Sequence, residues 1–293
     1  MEIYKVKNLS YTRNKKEILK NISFNVEAAK IFGIIGNNGV GKSTLLNLLS
    51  GILDIERGKV FFLQKDIAEF PMSLKAKSAM VCDDSTLYQN LSVADNINYI
   101  STLSDAKDGL VDDLISIFNL RAFLNYRVSK LSTGFKQRLR IVIALLFEPE
   151  VILFDEPWNG LDYPGATLLT ENIKTLRDEY KKTILVASHD LLLMQNLCDD
   201  IIIMKEGRII EHLHLNTLSE KGLRVILIKD NFNSREFVKN YQGTLHLTDD
   251  GFMLVENKNF ALRLDNLDYH EDILPLDKLY LKLINSNTYD IPF

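Results

Sequence analysis

The sequence predicts an α/β protein. Three observations carry that expectation: short apolar runs bounded by turn residues, helix-like stretches between them, and one glycine-rich loop at a strand-to-helix junction. The chain has 293 residues, of which 46% are apolar and 25% charged, a globular composition with interior enough for two domains or one large domain with an appendage.

The apolar runs are Lys30–Ile35, Val151–Phe154, Thr183–Ala187 and Asp200–Met204. Continuous rather than alternating hydrophobicity is what a strand covered on both faces requires, so they read as parallel strands joined by helical crossovers. Leu45–Leu49, Leu110–Leu120, Phe135–Phe147 and Leu168–Tyr180 place apolar residues at helical spacing, with Pro149 and Pro164 as breaks. From about Leu223 the texture changes. Val225–Ile228, Thr244–Leu247, Phe252–Val255 and Phe260–Leu264 are short runs separated by polar turns, and a helix is expected near Leu276–Ile284.

The 35 Lys+Arg and 39 Asp+Glu give a net charge of −4, which offers no electrostatic support for a nucleic-acid partner. The longest apolar run, Ile141–Phe147, is far below the ~18–20 residues of a spanning helix. The opening MEIYKVKNLSY has no apolar signal region, and Cys82 and Cys198 are too few for a disulfide scaffold, so a reducing cytosol is expected.

Gly36-Asn37-Asn38-Gly39-Val40-Gly41-Lys42-Ser43 fits G-x-x-x-x-G-K-[ST], between the apolar IFGII and the helix-like segment opening at Thr44. Such a loop turns tightly and aims backbone N–H groups at phosphate oxygens, helped by the positive end of the following helix. Lys42 is expected on the β- and γ-phosphates and the Ser43 hydroxyl on Mg²⁺. The run Val151–Phe154 delivers Asp155 and Glu156 at its C-terminal end, where sites of parallel sheets lie. One acid can position Mg²⁺ while the other orients or deprotonates water. Thr183–Ala187 ends in Ser188-His189-Asp190, which makes His189 a candidate γ-phosphate contact. Leu131–Arg138 (LSTGFKQR) opens the next helix with Ser132 as its N-cap.

Taken in this order, the motifs over residues 1–212 resemble the nucleotide-binding subunit of an ATP-binding cassette (ABC) transporter, with Leu131–Arg138 as the family's signature segment. The resemblance implies a phosphate-loop cassette with a parallel core, an antiparallel N-terminal sheet and a helical signature subdomain. Residues 213–293 are then a small α+β appendage. It also implies ATP and Mg²⁺ as cofactors, Tyr11 stacked on adenine, Asp155 at Mg²⁺, Glu156 as catalytic base and His189 as switch histidine. Asn159-Gly160-Leu161-Asp162 would be the loop that crosses between subunits. Two cassettes, here expected as a homodimer, would stack so that Ser132 and Gly134 meet the partner's γ-phosphate. A separate transmembrane permease would hold them at the inner face of the membrane.

Departures from the family pattern are specific. Asp83 falls where a glutamine usually contacts Mg²⁺, although members that protect against antimicrobial peptides carry a glutamate there; Gln89 is out of register. Phe135 resembles the LSxGMKQR variant of ABC-2 type exporters, as Ile273–Leu281 resembles their short helical ending, and Trp158 replaces a common Thr or Ser. The likenesses at Phe135 and Ile273–Leu281 point to export. The alternatives are a soluble family member acting in translation or DNA maintenance, and a regulatory cassette with little hydrolysis. A single phosphate loop, only 86 residues between Thr44 and Leu131, and the presence of both Glu156 and His189 favour the transporter reading.

Overall fold

A computed structural model describes residues 1–69, 77–81, 87–215, 223–231, 234–235, 237, 245–248, 251–255, 267–285 and 287–289. The chain opens with a long hairpin, β1 (Glu2–Arg13) and β2 (Lys16–Glu27). Its two turn residues, Asn14 and Lys15, have φ of 50° and 63°, the left-handed pair that a tight hairpin needs. β4 (Val60–Phe62) and β5 (Lys65–Asp66) complete an antiparallel sheet of order β2-β1-β4-β5.

The second sheet holds the four sequence-predicted strands. β3 (Ile31–Ile35), β7 (Val151–Asp155), β8 (Thr183–Ser188) and β9 (Asp200–Lys205) are parallel, joined by parallel β6 (Ser78–Val81) at one edge and antiparallel β10 (Arg208–His214) at the other. The order is β10-β9-β3-β8-β7-β6. Alternate residues feed two cores. Phe32, Ile34, Leu153, Leu185 and Ile202 face α1 (Lys42–Leu49) and the N-terminal sheet. Ile31, Ile35, Phe154, Val186 and Ile203 face the opposite layer.

That layer contains α2 (Val93–Ser104), α3 (Asp108–Ile117), α4 (Thr133–Leu145), α5 (Tyr163–Asp178) and α6 (Leu191–Leu197). A capping box of Ser92 and Asp95 starts α2, and Ser132 accepts the Phe135 N–H to start α4. α5 begins five residues before the expected Leu168. Asp162 caps it, and Pro164 sits in the first turn, where a missing N–H costs no helical bond. No helix among the described residues is long and apolar enough to cross a membrane.

Beyond β10 the chain forms a third, antiparallel sheet of order β14-β11-β13-β12-β15. Its strands are β11 (Leu223–Lys229), β12 (Leu245–Thr248), β13 (Gly251–Val255), β14 (Tyr269–Leu274) and β15 (Asn287–Tyr289), and α7 (Leu276–Asn285) lies between the last two. The expected run Phe260–Leu264 lies outside the described residues. One face of this sheet has its own cluster of Ile226, Ile228, Leu245, Phe252 and Leu254. Leu223, Val225, Met253, Leu276, Leu279 and Leu283 instead join the large core that also covers β7 and β8. The division expected after residue 212 falls inside β10.

Candidate functional site

The site is built at the C-terminal ends of β3, β7 and β8. Gly36 leaves β3 into an exposed loop of Asn37, Asn38 and Gly39, followed by half-buried Val40 and buried Gly41. Gly41 stands immediately before α1 with φ of +110°, and a Cβ there would lie 2.8 Å from Leu19 Cδ2 and 3.3 Å from the Ile18 carbonyl. Only glycine fits both the conformation and the gap. The same contact locates Tyr11: it pairs with Leu19 across the hairpin and packs on the N-terminal core, so β2 carries it toward the loop. Ser43 is exposed and Thr44 half-buried on the first turn of α1.

Lys42 folds back into the loop. Its Nζ donates to the Gly36 carbonyl at 2.8 Å and the Asn37 carbonyl at 3.4 Å, and lies 3.2 Å from Glu156 Oε1, with the side chain only 5% exposed. Glu156 is the centre of the cluster. His189 Nδ1 is 2.9 Å from its Oε2, and the Ser188 hydroxyl donates to the same oxygen at 3.4 Å. The Glu156 backbone has φ of 47°, and its N–H donates to the Ala187 carbonyl, so the pairing of β7 with β8 fixes where the carboxylate starts. A left-handed conformation in a non-glycine residue costs of order 1–3 kcal/mol and persists where the surroundings impose it. Asp155, one residue earlier, has a buried carboxylate oxygen, Oδ1. A hydroxyl from Ser43 and a carboxylate from Asp155 are hard oxygen donors of the kind Mg²⁺ takes, so the donor chemistry fits that ion.

The signature segment forms a second group. A Cβ on Gly134 would meet Leu161 Cδ2 at 3.6 Å, and one on Gly160 would meet Thr133 Cγ2 at 3.3 Å, so the Asn159–Asp162 loop lies against the signature within the chain. Asp162 accepts the Gly165 N–H at 3.0 Å as the cap of α5. Among the described residues, no hydrogen bond or ion pair links Ser132 or Gly134 to the phosphate loop. Trp158 is buried and donates to the Thr170 hydroxyl at 3.2 Å, a packing role. Gln89 serves the local loop, accepting the Ser129 N–H on its carbonyl. Asp83 lies outside the described residues.

One contact had no signal in the sequence. The Tyr280 hydroxyl, on α7 of the terminal segment, donates to Asn37 Oδ1 at 3.1 Å across 243 residues of chain. Burial pushes that hydroxyl above the usual tyrosine range, so it is a neutral donor. The helix was legible; that its Tyr280 hydroxyl lands on the phosphate loop was not.

A glycine-rich loop between a strand and a helix, with its lysine beside carboxylates at the end of a neighbouring parallel strand, is the arrangement of the phosphate-loop nucleoside triphosphatases. Comparison with known proteins narrows the class. The profile of the ABC transporter family matches residues 19–159. The chain is 32% identical over 216 residues to the ABC transporter ATP-binding protein NatA of Bacillus subtilis, covering 71% of this chain and 87% of that one. It is 32% identical to the lantibiotic transport ATP-binding protein SrtF of Streptococcus pyogenes, over 70% and 88% of the two chains. The solved structure of cbiO1 from Clostridium perfringens, part of the ABC transporter complex cbiONQ, superposes with a TM-score of 0.68 at 29% identity, covering 73% of this chain and 89% of the other. The dimeric post-hydrolysis structure of the cassette MJ0796 with ADP and Pi does so at 0.65 and 25% identity, over 73% and 99%. The chain belongs to the ABC transporter family and is its ATP-binding, ATP-hydrolysing subunit.

Proposed function

We propose that this cassette, paired with a second copy of itself, powers a separate transmembrane permease from the inner face of the cell membrane in the direction of export. The observation that carries the reading is the convergence of Lys42, Glu156 and His189 at the ends of three different strands. Gly36 to Thr44 would wrap the phosphates, with Tyr11 against the adenine ring. Ser43 and Asp155 would hold Mg²⁺, which supplies charge neutralisation on the phosphate oxygens; the family's position for Asp83 would add a further ligand.

The polar contacts suggest an order of events. Lys42 donates to the loop carbonyls and is ion-paired with Glu156. A β,γ-phosphate is a stronger partner for an ammonium than a single carboxylate. Lys42 moving onto phosphate would leave Glu156 held by Ser188 and His189 and able to accept a proton from the attacking water. His189 is more than half exposed, so it can turn toward a γ-phosphate without unpacking the core.

The role of the second cassette rests on the signature segment. Thr133 and Gly134 lie against the chain's own Asn159–Asp162 loop, and among the described residues neither Ser132 nor Gly134 bonds to the chain's own phosphate loop, as expected if they complete a partner's site with Asp162. Residues 1–212 are taken as the motor and 213–293 as an accessory subdomain. Export is supported by the signature variant around Phe135, which resembles that of ABC-2 type exporters.

Affinity purification from native membranes tests this reading. A multispan membrane protein is expected to co-purify and to raise the ATPase rate; recovery with ribosomes or nucleic acid alone contradicts it. Inside-out vesicles bearing both proteins are expected to accumulate the transported compound on addition of ATP. ATP-dependent release from such vesicles would reverse the direction.

A further inference from the structure

The β9–β10 edge of the central sheet carries a cluster that the nucleotide chemistry leaves unused. Asp200 opens β9 and stands opposite His214 of β10 in the antiparallel ladder. His212 is two residues before His214, so the strand period puts both imidazoles on one face with that carboxylate. His214 Nδ1 lies 2.5 Å from Asp200 Oδ1, and the two imidazole centroids are 4.9 Å apart. One ligand-capable atom from each of the three residues lies within 4.8 Å of the others. Phe32 packs edge-on against His212 at 5.6 Å and gives the cluster an apolar wall. Asp200 is buried, whereas His214 is 40% exposed and opens the group to solvent.

We propose that Asp200, His212 and His214 bind a divalent transition-metal ion, Zn²⁺ above others, which staples edge strand β10 to β9. Two imidazoles and one carboxylate suit Zn²⁺ and its neighbours, and they leave an outward position for water; Mg²⁺ and Ca²⁺ prefer oxygen ligands throughout. Lys30 is the native competitor. Its Nζ is 3.3 Å from Asp200 Oδ2, but it also sits 2.5 Å from Glu27 Oε2. A metal on Oδ1 would therefore replace the His214 contact and leave the ammonium paired. Asp200 aligns with Phe32, four residues before Gly36, so the site is roughly 13 Å along the strands from the phosphate loop. Its occupancy is thus separable from nucleotide chemistry.

The test uses the full, untagged chain, stripped with a chelator and titrated with Co²⁺ and then Zn²⁺ in the absence of nucleotide. One equivalent of Co²⁺ is expected to give the visible absorption of a low-coordinate nitrogen–oxygen site. Zn²⁺ should displace it and raise the melting temperature. His214→Gln and Asp200→Asn are each expected to weaken Co²⁺ binding at least tenfold. The first changes a partly exposed side chain, so an unchanged circular dichroism spectrum separates lost ligation from lost folding. Glu156→Gln, which alters the His189–carboxylate pair at the nucleotide end, is expected to leave the titration as in the parent chain. Absence of saturable Co²⁺ binding, binding that survives both β9–β10 substitutions, or binding lost in Glu156→Gln instead would each overturn the proposal.

Discussion

Lys42 shows how one side chain links folding to chemistry. It is buried, donates to two loop carbonyls and is ion-paired with a carboxylate, all of which a phosphate could replace or supplement. A hydrogen bond to a charged group contributes about 1.5–3 kcal/mol, so Lys42→Ala is expected to weaken ATP binding by roughly 10–100-fold. Titration of the variant with a fluorescent ATP analogue checks this, and unchanged affinity would remove Lys42 from the phosphate cradle. At this scale the sequence was most informative. Lys42, Asp155, Glu156 and His189 were legible because a glycine-rich loop and two apolar strands each ended in a chemical group. The pairing of Lys42 with Glu156 was not legible, because it depends on β3 lying beside β8 and β8 beside β7.

The element that carries the site is the strand, loop and helix from Ile31 to Leu49. Its geometry depends on Gly41, whose φ and whose distance to Leu19 leave no room for a side chain. Gly41→Ala is expected to cost about 1–3 kcal/mol of stability through backbone strain and overpacking, and to weaken ATP binding because the start of α1 shifts. Thermal melting with and without ATP measures both effects; a melting temperature equal to the parent's would show that the loop relaxes freely. Buried strands declared themselves by continuous hydrophobicity, whereas the β1–β2 hairpin did not. Its residues alternate between core and solvent, and its turn is Asn14-Lys15 instead of the glycine-containing pair that usually flags such a hairpin. The start of α5 was also misplaced, because Pro164 reads equally as a break and as a first-turn residue.

On the scale of the whole molecule, the terminal segment and the cassette share a core. Leu276, Leu279 and Leu283 of α7 are fully buried among residues that also cover β7 and β8, and Tyr280 on the same helix bonds to the phosphate loop. Leu279→Ala is therefore expected to cost about 2–5 kcal/mol and to lower a single calorimetric transition, the same one that ATP raises. A separate early transition, with the ATP-stabilised one unmoved, would show that the segment unfolds independently. The change of texture near Leu223 marked the appendage in the sequence, but a composition shift carries no information about which face docks where.

In the proposed mechanism Glu156 drives hydrolysis in a site closed by a second cassette. Sedimentation of Glu156→Gln with Mg²⁺ and ATP tests it most directly, alongside its turnover rate. Twice the monomer mass is expected with ATP and monomer with ADP, with hydrolysis lowered about 10²–10⁴-fold and ATP binding retained. A variant that binds ATP yet stays monomeric, or that hydrolyses it near the parent rate, would contradict it.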